Sequence, residues 1–284
     1  MGESMKEIVL LAEIPVKITD NYPRVLLKRS LDSGFIVYSK IIVLFIFVCF
    51  NPAYAKDVSI HYFDFYPVSY EKDGHPMGPA VEVARQVTQG LPVVFEDKAT
   101  PLKRLLAIMK DEPVITIAIV RNPQRENLYV WVSDLYRDSI VMATVPPTPI
   151  VNDLDQARHL QRIVAMGGGT TETLLRQNDL DNIELISEMG PEANLLRAHR
   201  VDGWLSTRLA MLSTWSDRGF DPSELQVGAS LMDVQFWMVA SKTVPRDIVD
   251  AIRSRIAALK KDGRYSHFYD ELQPWWRDAL KAER

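Results

Sequence analysis

Two arginines, Arg121 and Arg125, stand four residues apart in "AIVRNPQREN" (118–127), just past the apolar run "VITIAIV" (114–120). A guanidinium at the end of a buried strand offers a planar fork that matches a carboxylate. The plainer reading is a solvated surface charge, with Glu126 beside Arg125 as its partner. A second candidate is "GGGTT" (167–171), a glycine turn that leads into a helix. Free amides and the helix dipole favour an anion there, and Thr170 or Thr171 can add a hydroxyl donor. Ordinary N-capping asks for the same residues. The turn is neither a Walker loop nor G-x-G-x-x-G, so a nucleotide is not expected.

Other chemistry finds little support. The histidines (61, 75, 159, 199, 267) are scattered, and neither H-E-x-x-H nor another ligand spacing occurs, so no built metal site is expected. There is no G-x-S-x-G elbow and no Cys/His pair. "DLDQ" (153–156) and "DLDN" (179–182) read as caps and turns, because the rest of a calcium loop is missing. No cofactor is expected. A net charge of −4 argues against nucleic acid as a partner.

The chain has 284 residues of ordinary globular composition, 47% hydrophobic and 25% charged. Lys40, the apolar run "IIVLFIFVCF" (41–50) and "NPAYA" (51–55) have the layout of a secretory signal peptide, cleaved after Ala55. A membrane anchor is the alternative, but spanning takes about 20 apolar residues. Residues 1–55 thus read as an extension plus signal peptide, with the true start expected near Val37. Cleavage removes Cys49 and, with it, any disulfide or thiol chemistry. The remaining chain is mildly acidic and expected in the periplasm.

Its elements alternate between strand and helix. Strands are expected at "DVSIHYFDF" (57–65), "PVVFED" (92–97) and "PVITIAIV" (113–120), the last buried on both faces. Between them lie helices at 79–91, with Pro79 near its start, and at 100–111, with Thr100 as N-cap. The pattern then repeats: strands at 161–166, 183–188 and 201–206, helices at 171–179, 191–200 and 207–219. A long amphipathic helix spans 245–263 and a helical tail 264–284. Two β-α-β-α-β units imply an α/β protein of two similar lobes with a cleft between them, and such clefts are common ligand sites.

The order of these elements resembles the family 3 extracellular solute-binding proteins of bacteria, the amino-acid-binding type of two-lobed periplasmic receptor. Five stretches carry the resemblance: "FYPVSYEKDGHPMGPAVEVARQV" (65–87), "PLKRLLAIMKDEPVITIAIVRNPQRENLYVWVSDLY" (101–136), "GGGTTETLL" (167–175), "LLRAHRVDGWLS" (195–206) and "IAALKKDGRYSHFYD" (256–270). It implies the type II periplasmic-binding-protein fold, two α/β lobes joined by two crossing strands. Lobe 1 would be 57–138 plus 235–284 and lobe 2 would be 139–234. The crossings fall near Arg137–Ser139 and Asp233–Gln235. The implied function is capture of a small ligand by a monomer, for ABC-type uptake through an inner-membrane permease or for sensing.

The resemblance also assigns roles. Arg125 matches the arginine that grips the ligand carboxylate; Arg121 has no such match and stays open. An aromatic after the first strand would stack on the ligand, with Tyr66 favoured over Phe65 because its hydroxyl suits a wet boundary. Two positions depart from the pattern. Val120 stands where amino-acid binders usually place Ser or Thr, and Thr207 stands where an acid usually holds the ligand's amino group. Asp202 or Asp233 could substitute from elsewhere, but a small polar, carboxylate-bearing ligand other than a standard amino acid is expected. Some periplasmic dehydratases of prephenate-like acids resemble the same fold, and for that alternative Glu82 and Glu172 are candidate general acids.

Overall fold

The computed structural model describes residues 57–270. The expected signal peptide with its cleavage after Ala55, and the tail beyond Asp270, lie outside the described residues.

The first half opens with β1 (Val58–His61), whose alternate residues Val58 and Ile60 face the core. A hairpin follows, β2 (Tyr70–Lys72) and β3 (His75–Met77), turned at Asp73–Gly74 with φ of 52° and 77°. Two positive φ values define the turn that fits a two-residue hairpin. Helix α1 (Pro79–Thr88) starts at Pro79, where a missing N–H costs nothing, and buries Val81, Val83, Ala84 and Val87. Next come β4 (Val93–Phe95), α2 (Leu102–Ile108) and β5 (Val114–Val120). Thr100 does not cap α2; its hydroxyl lies 3.1 Å from His61 Nδ1, and Pro101 takes the cap position.

Two strands of 15 residues, β6 (Val130–Thr144) and β10 (Gln226–Ala240), run antiparallel along nearly their whole length. Between them in sequence lie α3 (Leu154–Ala157), β7 (Ile163–Met166), α4 (Thr170–Gln177), β8 (Ile183–Ile186), α5 (Pro191–Arg197), β9 (Gly203–Thr207) and α6 (Arg208–Asp217). Helices α7 (Arg246–Lys261) and α8 (Arg264–Asp270) follow β10.

Hydrogen bonding links the strands in the order β4-β1-β5-β10-β6-β9-β7-β8. At one end β10 pairs with β5, from Phe236–Val120 to Ala240–Ile115. At the other end β6 pairs with β9, from Ile140–Thr207 to Ala143–Trp204. Each long strand therefore serves two α/β halves. The residues expected at the crossings pair with one another: Arg137 with Gln235, Asp138 with Val234, Ser139 with Asp233. Strand β5 is buried at all seven residues, as its apolar run implies, but is parallel to β1 and antiparallel to β10. A separate apolar cluster around Trp204 and Trp215 fills part of the second half.

Candidate functional site

Strand β5 breaks its regularity at Ala118, which has φ 61°. Its pairing with β10 shifts register there, between Trp237 and Val239. An L-residue in this region costs about 1–2 kcal/mol, and bulges of this kind often re-aim a strand at a site. Here Ala118, Ile119 and Val120 all line one cavity, which strict alternation of side chains would forbid.

That cavity lies between the two halves and encloses about 60 Å³. The first half adds Phe63, Phe65, Leu102 and Arg125. The second half adds Met166, Met189, Ser206, Thr207 and the Gly169–Thr171 start of α4. Ile140 and Phe236 close it from the crossing strands.

Arg125 is half-buried, and burial pulls its pKa below the ordinary arginine range. Its Nη2 donates to the carbonyl of Gly168, 3.2 Å away in the opposite half. Among the described residues no carboxylate pairs with it; Glu126 is taken by Arg121. Facing it, α4 begins at Gly169 with no side-chain cap, so its first amides lack intrahelical acceptors. Thr170 is 8% exposed, and its buried Oγ1 has no hydrogen-bond partner. Thr171 instead donates to the Met166 carbonyl at 3.2 Å. Gly167 and Gly168 let Lys103 of the first half lie over the turn: a Cβ on Gly168 would stand 2.5 Å from Lys103 Cγ.

Tyr66 is placed elsewhere. It does not line this cavity but a separate groove, with its hydroxyl 3.5 Å from Asp217 Oδ1 and its ring edge-on to Tyr70. Phe65 takes the inner place, its ring centroid 5.3 Å from Phe236 and 5.6 Å from Phe63. The purely apolar ring packs inward while the phenol keeps its oxygen at the wet rim.

Arg121 is also outside. It donates to Glu126 through Nε (2.9 Å) and Nη2 (2.5 Å), and its guanidinium lies 5.2 Å and 4.7 Å from the rings of Trp131 and Trp237. Trp131 Nε1 donates to the Glu126 carbonyl at 3.1 Å. These contacts clasp the turn that carries Arg125, so Arg121 holds the turn and Arg125 faces the cavity. Arg121→Ala is expected to weaken anion binding roughly three- to tenfold through lost preorganisation, with faster amide exchange across 121–129. Unchanged affinity, measured by calorimetry, would reduce the clasp to a stability feature.

The candidate acids of the dehydratase alternative do not line the cavity. Glu172 accepts from the Gly168 amide (2.6 Å) and Arg176 Nε (2.8 Å), and the Gly168 bond above all holds its carboxyl below the usual range. Glu82 is exposed and pairs with Arg85.

One buried carboxylate carried no signal in the sequence. Asp138, at the crossing, accepts from the amides of Ser139 (2.7 Å) and Leu209 (3.2 Å), the latter in the first turn of α6. Thr207 Oγ1 sits beside it without completing a hydrogen bond of good geometry. Burial pushes the Asp138 pKa up to about 7 despite these neighbours. At the rim, Asp64 is pushed up to about 6 by burial and by Glu71 and Glu188. No group of acidic, His or Cys side chains fit for a metal occurs among the described residues, and none of their helices is long and apolar enough to cross a membrane.

Two α/β halves sharing two long antiparallel strands, with a cavity where they meet, can be compared with solved structures. A mutant of ArgBP from T. maritima superposes with a TM-score of 0.65 at 16% identity, covering 76% of this chain and 93% of that one. The fold is that of the two-lobed periplasmic binding proteins. A histidine kinase sensor domain with similarity to periplasmic binding proteins gives 0.68 at 14% identity, covering 77% and 96%. ArtJ of Geobacillus stearothermophilus, an arginine-, lysine-, histidine-binding protein, gives 0.66 at 16%, covering 76% and 95%. No family model and no curated protein sequence matches the chain.

Proposed function

We propose that this chain is an exported solute-binding protein of the family 3 type. It closes its lobes on a small carboxylate-bearing ligand and delivers it, as a monomer, to an ABC-type permease or a membrane sensor. The observation that carries this reading is Arg125: a desolvated guanidinium with no carboxylate partner among the described residues, set against an uncapped helix start. Such a cation lacks a counter-charge that an anionic ligand would provide. The pairing of Arg137–Ser139 with Asp233–Gln235 supports lobe boundaries at 57–138 with 235 onward, and at 139–234.

The relatives in fold support binding over catalysis, since ArgBP, ArtJ and the substrate-binding protein of an amino acid ABC transporter are binding proteins. The sensor domain among them keeps signalling beside uptake. A thermal-shift screen of carboxylates, phosphate and sulfate on the purified protein tests the reading. A ligand at a hundred times its Kd should stabilise by about 2.7 kcal/mol. If no carboxylate raises the melting temperature, or only phosphate or sulfate does, the reading fails.

A further inference from the structure

We infer that the cavity selects a short, apolar monocarboxylate that carries no ammonium group. This rests on the carboxylate reading above and names the ligand's other end.

An ammonium group brings three donors and a positive charge. Placed beside Arg125 in a desolvated cavity, it needs a negative acceptor to offset like-charge repulsion. Among the described residues that line the cavity none is acidic. The side-chain oxygens there are hydroxyls, and that of Thr171 is already engaged with Met166. Asp138 lies behind Thr207 and accepts from the amides of Ser139 and Leu209. Asp64 and Glu188 line a neighbouring pocket on the far side of Phe63 and Met189.

The rest of the wall is hydrocarbon. Phe65, Ile119, Val120, Ile140 and Phe236 surround the space beside the guanidinium. Val120, 8% exposed, brings methyl groups where a hydroxyl would have served as an acceptor. At about 60 Å³ the cavity holds roughly four to six waters, on a scale where each needs 10–15 Å³. That suits an acid with a short branched chain. The unpartnered Thr170 hydroxyl can donate to the carboxylate or to a 2-oxo or 2-hydroxy oxygen.

Titration calorimetry on the full chain with 3-methylbutanoate, its 2-oxo and 2-hydroxy derivatives, valine and arginine tests the inference. The ammonium-free acids are expected to bind at least tenfold more tightly than valine, with arginine weaker still. Valine or arginine binding as tightly as the acids overturns the inference and leaves the carboxylate reading standing. So does binding of succinate with none of the apolar acids. Failure of every carboxylate, even where phosphate binds, overturns the carboxylate reading itself.

Discussion

Arg125→Met is expected to give a protein more stable than wild type without ligand and unresponsive to it. The guanidinium is partly withdrawn from water with one carbonyl contact, at Gly168, and no counter-anion among the described residues. Removing an incompletely compensated charge and refilling its volume with an apolar chain is often stabilising. Because Arg125 is half-buried, we expect a gain of about 1 kcal/mol, or some 2–4 °C in Tm for a chain of this size. Ligand binding should fall on the order of a hundredfold or more, the usual cost of truncating one partner of a desolvated charge pair. Scanning fluorimetry with and without ligand reads both effects. A lower Tm with the ligand shift intact would make Arg125 a strut between the lobes.

The second large effect concerns Asp138. Its folded pKa of about 7 lies well above that of an unfolded aspartate. Between about pH 4 and 7 the folded state therefore binds the extra proton, and stability falls as pH rises through that window. Asp138→Asn removes the charge and should escape this loss, but its amide nitrogen cannot accept one of the Ser139 and Leu209 amide bonds. The variant should therefore start below wild type near pH 4 by about 1 kcal/mol, gain on it up to about pH 7, and level off above it. The gap between the folded and unfolded pKa values sets an upper bound of roughly 4 kcal/mol. Urea unfolding of both proteins at pH 4.5, 6, 7 and 8 measures it. Parallel stability profiles would show that Asp138 is ionised in the folded state across the range.

The pair Arg121 and Arg125 shows how far local sequence reaches. Both follow the same apolar strand, and the chemistry of a guanidinium is identical at each. The turn Asn122–Pro123 separates them, and the Asn122 side chain accepts the Arg125 amide at 3.0 Å. What separates their environments is remote: Trp237, more than a hundred residues on, stacks over Arg121, and Gly168 receives Arg125. Tyr66 and Phe65 make the same point. Either ring could enter the cleft, and Phe236 on the returning strand decides that Phe65 does.

The bulge at Ala118 was illegible for another reason. A continuous apolar run carries no mark of which residue will leave the strand conformation, and alanine is not the residue that positive φ favours. Asp138 was hidden likewise, since its burial comes from β9 and α6, about seventy residues away.

By itself the sequence determined the alternation of strands and helices, because hydrophobic period, Pro starts and Gly stops are local. It also marked the glycine turn before α4, and the resemblance it carries marked the two crossing segments, Val120 as a position without a hydroxyl and Thr207 as one without an acid. Only the tertiary structure decided which arginine is desolvated, which aromatic faces the cavity, and that a carboxylate is buried at the crossing. Those outcomes depend on surfaces brought together from distant segments, and desolvation exists only after they meet.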